Sequence, residues 1–172
     1  CLIRSREGIN GFLVPGADGG DSKLGQYADD VTCILRDGGS VEKVLDVVEY
    51  FGLGTGARLN RGKSEAMWVG KWKSRRDKPW GLKWVVKMKI LGVWFGDDVK
   101  DENWVAKVEK LRKVLDRWKG RRLSMKGKVL IVKVLGLSKL DYVGRVLDVP
   151  RDIVREVNKL VWGFLWGGRV EL

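Results

Sequence analysis

Hydrophobic residues follow two different spacings along this chain, and the change from one to the other divides it. In the first half, short β-prone runs such as INGFLV and VTCIL stand between turn-forming segments such as PGADGGDS. Short runs separated by Gly, Pro and Asp are typical of strands in hairpins. After about residue 96, apolar positions recur every three or four residues, as on one face of a helix. The pattern predicts an α+β fold in two parts, residues 1–97 and residues 98–172.

The first part is expected to contain hairpins packed around one helix. Ser40 follows RDGG and is a good N-cap for a helix that continues to about Phe51 with one apolar stripe. The glycine-rich GLGTG should end that helix. Two further β-prone pieces, EAMWVG and KILGVWFG, stand on either side of the very basic KWKSRRDKPWGLKW. These elements predict a mixed unit with a partly antiparallel sheet.

The second part is expected to be a bundle of three helices. The first helix has an apolar stripe and a basic outer surface. Ser124 can cap the second helix, which is apolar nearly all round over residues 129–140 and should therefore lie in the middle of the bundle. The third helix should stop at Gly167 and Gly168. Four tryptophans at helical spacing are predicted to be core or domain-contact residues rather than stacking platforms: Trp104, Trp118, Trp162 and Trp166.

The net charge of the chain indicates which class of binding partner is favoured. The 172 residues include 34 Lys and Arg against 22 Asp and Glu, which gives a net charge of +12. Such an excess favours a polyanion such as nucleic acid, although structural and membrane-surface proteins can be equally basic. Histidine is absent, which excludes Cys/His zinc sites and Ser-His-Asp systems. Cys1 and Cys33 are too few for a disulfide framework, so we expect a reducing compartment, and charges interrupt the longest apolar stretch, so we predict no transmembrane helix.

Two adjacent aspartates stand between two strand-like runs in KLGQYADDVTCILR. Asp29 and Asp30 are predicted to form the two-residue connection of a tight hairpin, where both carboxylates lie at one exposed tip. Holding two like charges together costs Coulomb energy unless a cation intervenes. Mg²⁺ suits carboxylates combined with phosphate oxygens, and a pair of such ions supports phosphoryl transfer. A second pair, Asp97 and Asp98, precedes a helix and needs no catalytic explanation.

The ordered motifs resemble those of one family. QYADD with its flanking strands resembles the metal-binding hairpin of non-LTR (LINE-type) retrotransposon reverse transcriptases. GTGARLNRGKSEAMWVG is similar to the motif that follows it, KILGVWFG to the primer-gripping strands, and LDRWKGRRLSMKGKVLIVKVLGLSKLDYV with FLWGG to the thumb. By resemblance, residues 1–97 are a partial polymerase palm and residues 98–172 a thumb-like domain. The implied activity is template-primed nucleotidyl transfer by an RNA-directed DNA polymerase with two Mg²⁺ ions, an RNA template, a DNA primer and dNTP.

The resemblance also implies residue roles. Asp29 would be a metal ligand, with Asp30 a less direct one, and both would be catalytic together with Lys63, a candidate proton donor to pyrophosphate. A solvated loop lysine is the alternative for Lys63, and Asn60 is expected to shape the turn before it. Tyr27 would lie beside the primer end or the nucleotide. The primer-grip match contains Leu91, Gly92 and Val93, where a plain core hairpin is the alternative, and the cations expected on a template–primer duplex are Arg121, Arg122, Lys126 and Lys128.

The family also needs an aspartate-bearing strand and a nucleotide-selecting segment upstream of the hairpin, and only eight residues precede INGFLV. The chain starts without Met, so it is expected to be a piece of something longer. Because the upstream strand would supply part of the metal site, the piece is expected to be inactive alone. A non-catalytic nucleic-acid-binding remnant of a retrotransposon is the second hypothesis. A basic peripheral membrane module is the third, although we expect no membrane partner. The family suggests the nucleus, and the sequence leaves oligomeric state open.

Overall fold

The computed structural model describes residues 2–14, 20–28 and 30–167. The chain divides into two compact units, Cys1–Val86 and Lys87–Leu172. Both units contain helices and small two-stranded sheets, so the described residues form a mixed helix and strand structure. The expected boundary near residue 97 therefore lies too late in the chain, because a hairpin assigned to the first part belongs to the second unit.

The first unit begins with a short helix, α1 (Leu2–Ser5), and an antiparallel hairpin of β1 (Leu24–Tyr27) and β2 (Asp30–Cys33). The INGFLV segment also pairs as expected, since Phe12 bridges Ser22 and Gly11 bridges Leu35 in antiparallel fashion. The apolar core of the first unit is small. It contains residues from α1, from the segment between α1 and β1, from β1 and from the long helix that follows: Ile3, Ile9, Leu24, Val44 and Val47. The base of the hairpin is thus buried, while the rest of β1 is exposed.

The long helix of the first unit is α2 (Gly38–Thr55). Its N-cap is Asp37 rather than Ser40, because the Asp37 carboxylate accepts a hydrogen bond from the Ser40 backbone N–H at 2.7 Å. Ser40 lies one turn inside the helix and is fully buried, and its hydroxyl accepts from the Asn10 backbone N–H at 2.8 Å. The helix continues through most of GLGTG and ends at Gly56, whose φ of +74° is the left-handed conformation that glycine adopts at low cost.

The remainder of the first unit is built around tryptophans. The strands β3 (Glu65–Ala66) and β4 (Lys83–Trp84) pair in parallel. Only two residues of EAMWVG are in β3, so this strand is much shorter than expected. Trp68 and Trp84 stack at 4.1 Å between ring centroids, and the Arg75 guanidinium lies 4.5 Å from the Trp68 ring. Asp77 accepts from Arg75 Nε at 2.8 Å, which fixes the guanidinium over the ring. This basic stretch therefore folds on its own aromatic side chains.

The second unit contains the expected three helices. A π-helical turn (Asp101–Val105) leads into α3 (Ala106–Lys119). Then α4 (Met125–Ile131), a second π-helical segment (Val132–Leu137) and α5 (Ser138–Gly144) follow one another without a break. The last helix is α6 (Arg151–Trp166), which ends at Gly167 with a φ of +69°. Ser124 is the N-cap of α4, as predicted, because its hydroxyl accepts from the Gly127 N–H at 3.2 Å, and Gly168 lies outside the described residues.

The helix spanning α4 and α5 does not lie in the middle of the bundle. It buries one face only, while Leu130 and Val134 on the other face are 61% and 56% exposed. All three helices pack against one another, since α3 contacts α5 and α6 and α4 also contacts α6, and Leu111 of α3 is fully buried. An all-round apolar sequence cannot tell which face has a neighbour, so the prediction of a central position was wrong. The buried residues of this core are Val93, Trp104, Val108, Leu111, Leu115, Val132, Leu140, Val143, Ile153 and Phe164.

The hairpin of β5 (Lys87–Ile90) and β6 (Val93–Gly96) is fixed to this bundle. Val93 is 1% exposed and belongs to the core. The fully buried Asn103 side chain accepts from the Trp94 backbone N–H at 2.9 Å and donates to the Trp94 carbonyl at 2.7 Å. Lys87 pairs with Glu102 at 2.9 Å. These contacts explain why the boundary between units precedes β5 rather than following β6.

Asp37→Asn is expected to remove a pH-dependent part of the first unit's stability. Hydrogen bonds from Asn10 and Ser40 hold the pKa of Asp37 below its ordinary value, so this contribution is present above the unfolded pKa, about 4, and is lost as pH falls through the folded pKa. Asparagine still caps a helix but does not titrate. Urea unfolding from pH 2 to 7 should show the parent more stable at neutral pH and the difference vanishing in acid. Asp46→Asn controls for net charge, and a pH-independent difference would contradict the assignment.

Asn103→Ala is expected to destabilise the second unit by about 2 to 5 kcal/mol, because it leaves both backbone groups of Trp94 without a partner in a buried place. Denaturant unfolding measures the loss, and hydrogen exchange at the Trp94 amide should accelerate. Asn158→Ala, an exposed change on α6, is the matched control. Equal stability of the two variants would show that Asn103 does not hold the hairpin.

Gly136→Ala is expected to destabilise the bundle by about 1 to 3 kcal/mol through overpacking. A Cβ added at Gly136 would lie 2.6 Å from Leu111 Cδ1, and Leu111 is fully buried and cannot move aside. Gly163→Ala on α6 meets no atom within 4 Å and should be neutral or stabilising by up to about 1 kcal/mol. Thermal unfolding of both variants tests the contrast, and a Gly136→Ala protein as stable as the parent would overturn it.

Candidate functional site

The tip of the first hairpin presents two of the predicted residues to solvent. Tyr27 and Asp30 are directly opposed across β1 and β2, so their side chains lie on the same face of the hairpin. Tyr27 is 69% exposed and Asp30 is exposed. Ala28 has a φ of +53°, the left-handed conformation that tight hairpin turns require. Asp30 is therefore the first residue of a strand rather than a connection residue, and Asp29 lies outside the described residues.

The base of the hairpin holds this tip away from the core. Leu24 is buried, and Cys33 is half-buried opposite it. Burial raises the pKa of the Cys33 thiol, so it remains protonated and unreactive at neutral pH. The side chains of Tyr27 and Asp30 at the tip do not pack in the apolar core, so they are accessible to a ligand.

The described residues do not fit a magnesium site by themselves. They contain no group of three or more Asp, Glu or Cys side chains placed to hold a metal ion. At the hairpin tip they supply one exposed carboxylate, that of Asp30. Mg²⁺ requires close to octahedral oxygen coordination, and one carboxylate is a small part of that. A metal site at this tip would therefore need ligands besides Asp30.

Lys63 lies on an exposed turn that Asn60 shapes. The Asn60 side-chain oxygen accepts from the Lys63 backbone N–H at 3.1 Å, and the Asn60 backbone carbonyl accepts from the Ser64 hydroxyl at 2.8 Å. The prediction for Asn60 is confirmed. In the part of the chain that the structure describes, no hydrogen bond or ion pair joins Lys63 to the hairpin tip. Lys63 is exposed to solvent, which is compatible with both the proton-donor and the solvated-loop interpretations of this lysine.

The primer-grip match lies on the turn of the second hairpin. Leu91 and Gly92 have φ values of +48° and +86°, which makes a tight two-residue turn between β5 and β6. The Tyr142 hydroxyl donates to the Leu91 carbonyl. Leu91 is 53% exposed, whereas Val93 is buried in the bundle core. Leu91 and Gly92 therefore form a rigid surface feature, and Val93 anchors it from below.

The predicted thumb cations lie in the turn between α3 and α4 and at the start of α4: Arg121 and Arg122 are in the turn, and Lys126 and Lys128 are in the helix. The Leu123 N–H donates to the Arg121 carbonyl at 2.8 Å, which keeps the turn tight. The Arg121 guanidinium packs 4.4 Å from the Trp118 ring, while Arg122 and Lys126 are exposed. Lys128 differs, because its ammonium donates to the Leu165 carbonyl at 2.8 Å near the end of α6. Arg121, Arg122 and Lys126 thus face solvent, and Lys128 satisfies a carbonyl near the end of α6.

The predicted residues are divided between the two units. Tyr27, Asp30 and Lys63 belong to the first unit, and the grip turn and the cations belong to the second.

A basic face on α6 was missed at the sequence level. There Trp162 and Trp166, predicted to be core or domain-contact residues, are 43% and 48% exposed and do not belong to the core. Trp104 is buried as predicted, and Trp118 is half-buried. The signal that could have revealed the face is the spacing of basic residues on the same side of the helix as the two tryptophans.

No helix in the described part of the chain has the length and apolarity needed to cross a membrane.

Comparison with known proteins gives a distant relative. No family model matches the chain. It is similar to the transposon TX1 uncharacterized 149 kDa protein of Xenopus laevis, with 27% identity over 179 aligned residues. The alignment covers 98% of this chain but 13% of that protein. The likeness extends over both structural units and supports a transposon-derived origin for the chain.

Proposed function

We propose that this chain is the palm and thumb segment of an RNA-directed DNA polymerase of the non-LTR retrotransposon type. Its role in such an enzyme is to hold a template–primer duplex and to present the Asp29 and Asp30 hairpin to the primer end. The transposon relative and the order of the four matching motifs support the proposal. The observation that carries it is the hairpin tip, where Tyr27 and Asp30 face solvent together above a buried base.

The proposal assigns duplex binding to the second unit. Arg121 and Arg122 lie on the turn between α3 and α4, Lys126 lies at the start of α4, and all three are exposed. Cations so placed neutralise phosphates without reading bases, and each contact releases counterions. The rigid Leu91–Gly92 turn would support the primer strand through its backbone. Two Mg²⁺ ions, a dNTP and an RNA template belong to this proposal, and further metal ligands would come from outside the described residues.

Binding to an RNA–DNA template–primer should weaken in the Arg121→Gln, Arg122→Gln, Lys126→Gln variant. Loss of three phosphate contacts should reduce the slope of log Kobs against log salt by roughly 2 to 3. Fluorescence anisotropy of a labelled primer measures this slope. The salt concentration is varied from about 50 to 200 mM, a range in which counterion effects on binding are large. A variant with three exposed lysines changed elsewhere in the unit (Lys110, Lys133 and Lys139 to Gln) is the matched control.

Equal slopes for the two variants would contradict the assignment of the turn. Stronger binding to anionic lipid vesicles than to template–primer at matched salt would favour a membrane-surface module instead.

Catalysis is tested in a longer form of the protein that extends the reading frame upstream and includes an aspartate-bearing strand. Asp29→Ala should abolish Mg²⁺-dependent primer extension, and Asp30→Asn should reduce it, because carboxylates near the primer end are then lost. Circular dichroism of the variants checks that the fold is retained. Unchanged extension by Asp29→Ala would overturn the catalytic part of the proposal.

A second function is a nucleic-acid-binding remnant without chemistry. It would need only the exposed cations at the start of α4 and in the turn before it, Arg121, Arg122 and Lys126, which can bind phosphates without a metal site. Template–primer binding with the predicted salt slope, together with stop codons upstream in the gene, would support the remnant over the enzyme.

A further inference from the structure

The outer face of α6 carries a row of basic and aromatic side chains. Its exposed members, in chain order, are Arg151, Arg155, Lys159, Trp162 and Trp166. At 3.6 residues per turn these five positions fall within an arc of about 80°. At 1.5 Å per residue the row is about 22 Å long. We call this row the α6 face.

The tryptophans of the α6 face are arranged for stacking. The rings of Trp162 and Trp166 lie 6.2 Å apart between centroids and only 13° from parallel. They are 43% and 48% exposed, although tryptophan is costly to leave in water. The opposite side of α6 is buried through Ile153 and Phe164. The helix therefore already has its packing face, and the two tryptophans are not needed for it.

The acidic residues of α6 are neutralised by other elements. Asp152 pairs with Lys100 at 2.6 Å, and Glu156 pairs with Arg112 at 2.6 Å. The hydrogen bond from Lys100 also holds the pKa of Asp152 below its ordinary value, so that this carboxylate stays ionised and paired.

The basic side chains of the α6 face have no acidic partner among the described residues. Among the described residues, Arg151, Arg155 and Lys159 make no ion pair with an acidic side chain. The exposed charge of the α6 face is therefore purely positive.

We propose that the α6 face binds single-stranded nucleic acid. The side chains of Arg151, Arg155 and Lys159 follow the phosphate backbone. Unpaired nucleobases stack on Trp162 and Trp166. Proteins that bind single strands combine a basic track with aromatic rings in this way. A duplex offers phosphates but no free base faces, so the tryptophans select the single strand. The site is distinct from the Arg121 turn, and it does not depend on a polymerase ancestry for the chain.

The test compares two variants in the 172-residue protein, using fluorescence anisotropy with a 20-mer of single-stranded RNA, the same 20-mer of DNA and a hybrid duplex. Trp162→Leu with Trp166→Leu keeps apolar side chains but removes the rings. It should weaken single-strand binding at least about tenfold and change duplex binding less than about twofold. Arg155→Gln with Lys159→Gln should lower the single-strand salt slope by roughly 1.4, since each contact contributes about 0.7.

Matched controls are Leu130→Ala, an exposed apolar change on α4, and Lys133→Gln with Lys139→Gln, an equal change of charge. Circular dichroism should show parent helicity in all variants. A further readout is the quenching of tryptophan fluorescence by the single strand, which should fall when Trp162 and Trp166 are both changed to Phe. RNA and DNA 20-mers bound equally, or one preferred, would each support the site and identify its strand.

Single-strand affinities within about twofold of the parent in both folded variants would overturn the proposal. So would loss of self-association or of lipid-vesicle binding in the tryptophan variant while single-strand binding stays unchanged, since the α6 face would then belong to a second copy or to a membrane. Failure of this site leaves duplex binding through the Arg121 turn intact, and failure of that turn leaves the α6 face intact, so the two proposals are separable.

Discussion

Each unit of this protein is organised by one buried polar side chain that must find its hydrogen-bond partners. Ser40 and Asn103 are the buried polar residues of the described chain, and both are fully buried. Ser40 joins α2 to the segment before the first hairpin through Asn10, and Asn103 joins the start of the helical bundle to β6 through Trp94. An unpaired polar group in these places would cost about 1 to 3 kcal/mol, so each network admits one arrangement of its segments. These constraints determine which hairpin belongs to which unit.

The same division explains the character of the candidate sites. In the first unit, apolar burial is used at the base of the hairpin, and its tip keeps polar exposed side chains, as on loops that rigid elements position. In the second unit, Tyr142 and Asn103 hold the β5–β6 hairpin against the bundle, so the Leu91–Gly92 turn and the Arg121 turn are parts of one packed body. A ligand bound at one of these turns meets a surface that folding has already ordered, which lowers the entropy lost on binding.

Much of the fold follows from the sequence because it depends on local signals. The three helices of the second unit, the Ser124 cap and the Gly167 stop are set by periodicity and end residues, and these were predicted. The domain boundary was not, because it depends on Asn103 reaching a strand that a helix-period pattern does not reveal. The cap of α2 was misplaced since both Asp37 and Ser40 are good caps, and the contact with Asn10 decides between them. Of the site residues, exposure of Tyr27 and Asp30 agreed with the hairpin prediction, whereas Lys128 has a structural partner that no motif shows.

The tryptophans show why periodicity alone misjudges function. A helix with apolar residues on two sides gives the same repeat whether both sides are packed or only one is, and α6 packs one. What separates the two cases is the charge around each stripe. The acids of α6 lie beside its buried side and pair with Lys100 and Arg112, whereas the bases share the side of Trp162 and Trp166. Trp162 and Trp166 lie among basic side chains that have no acidic partner, on the side of α6 that is not packed. In a chain with net charge +12, their exposure is better explained by a polyanion with free nucleobases than by a missing core.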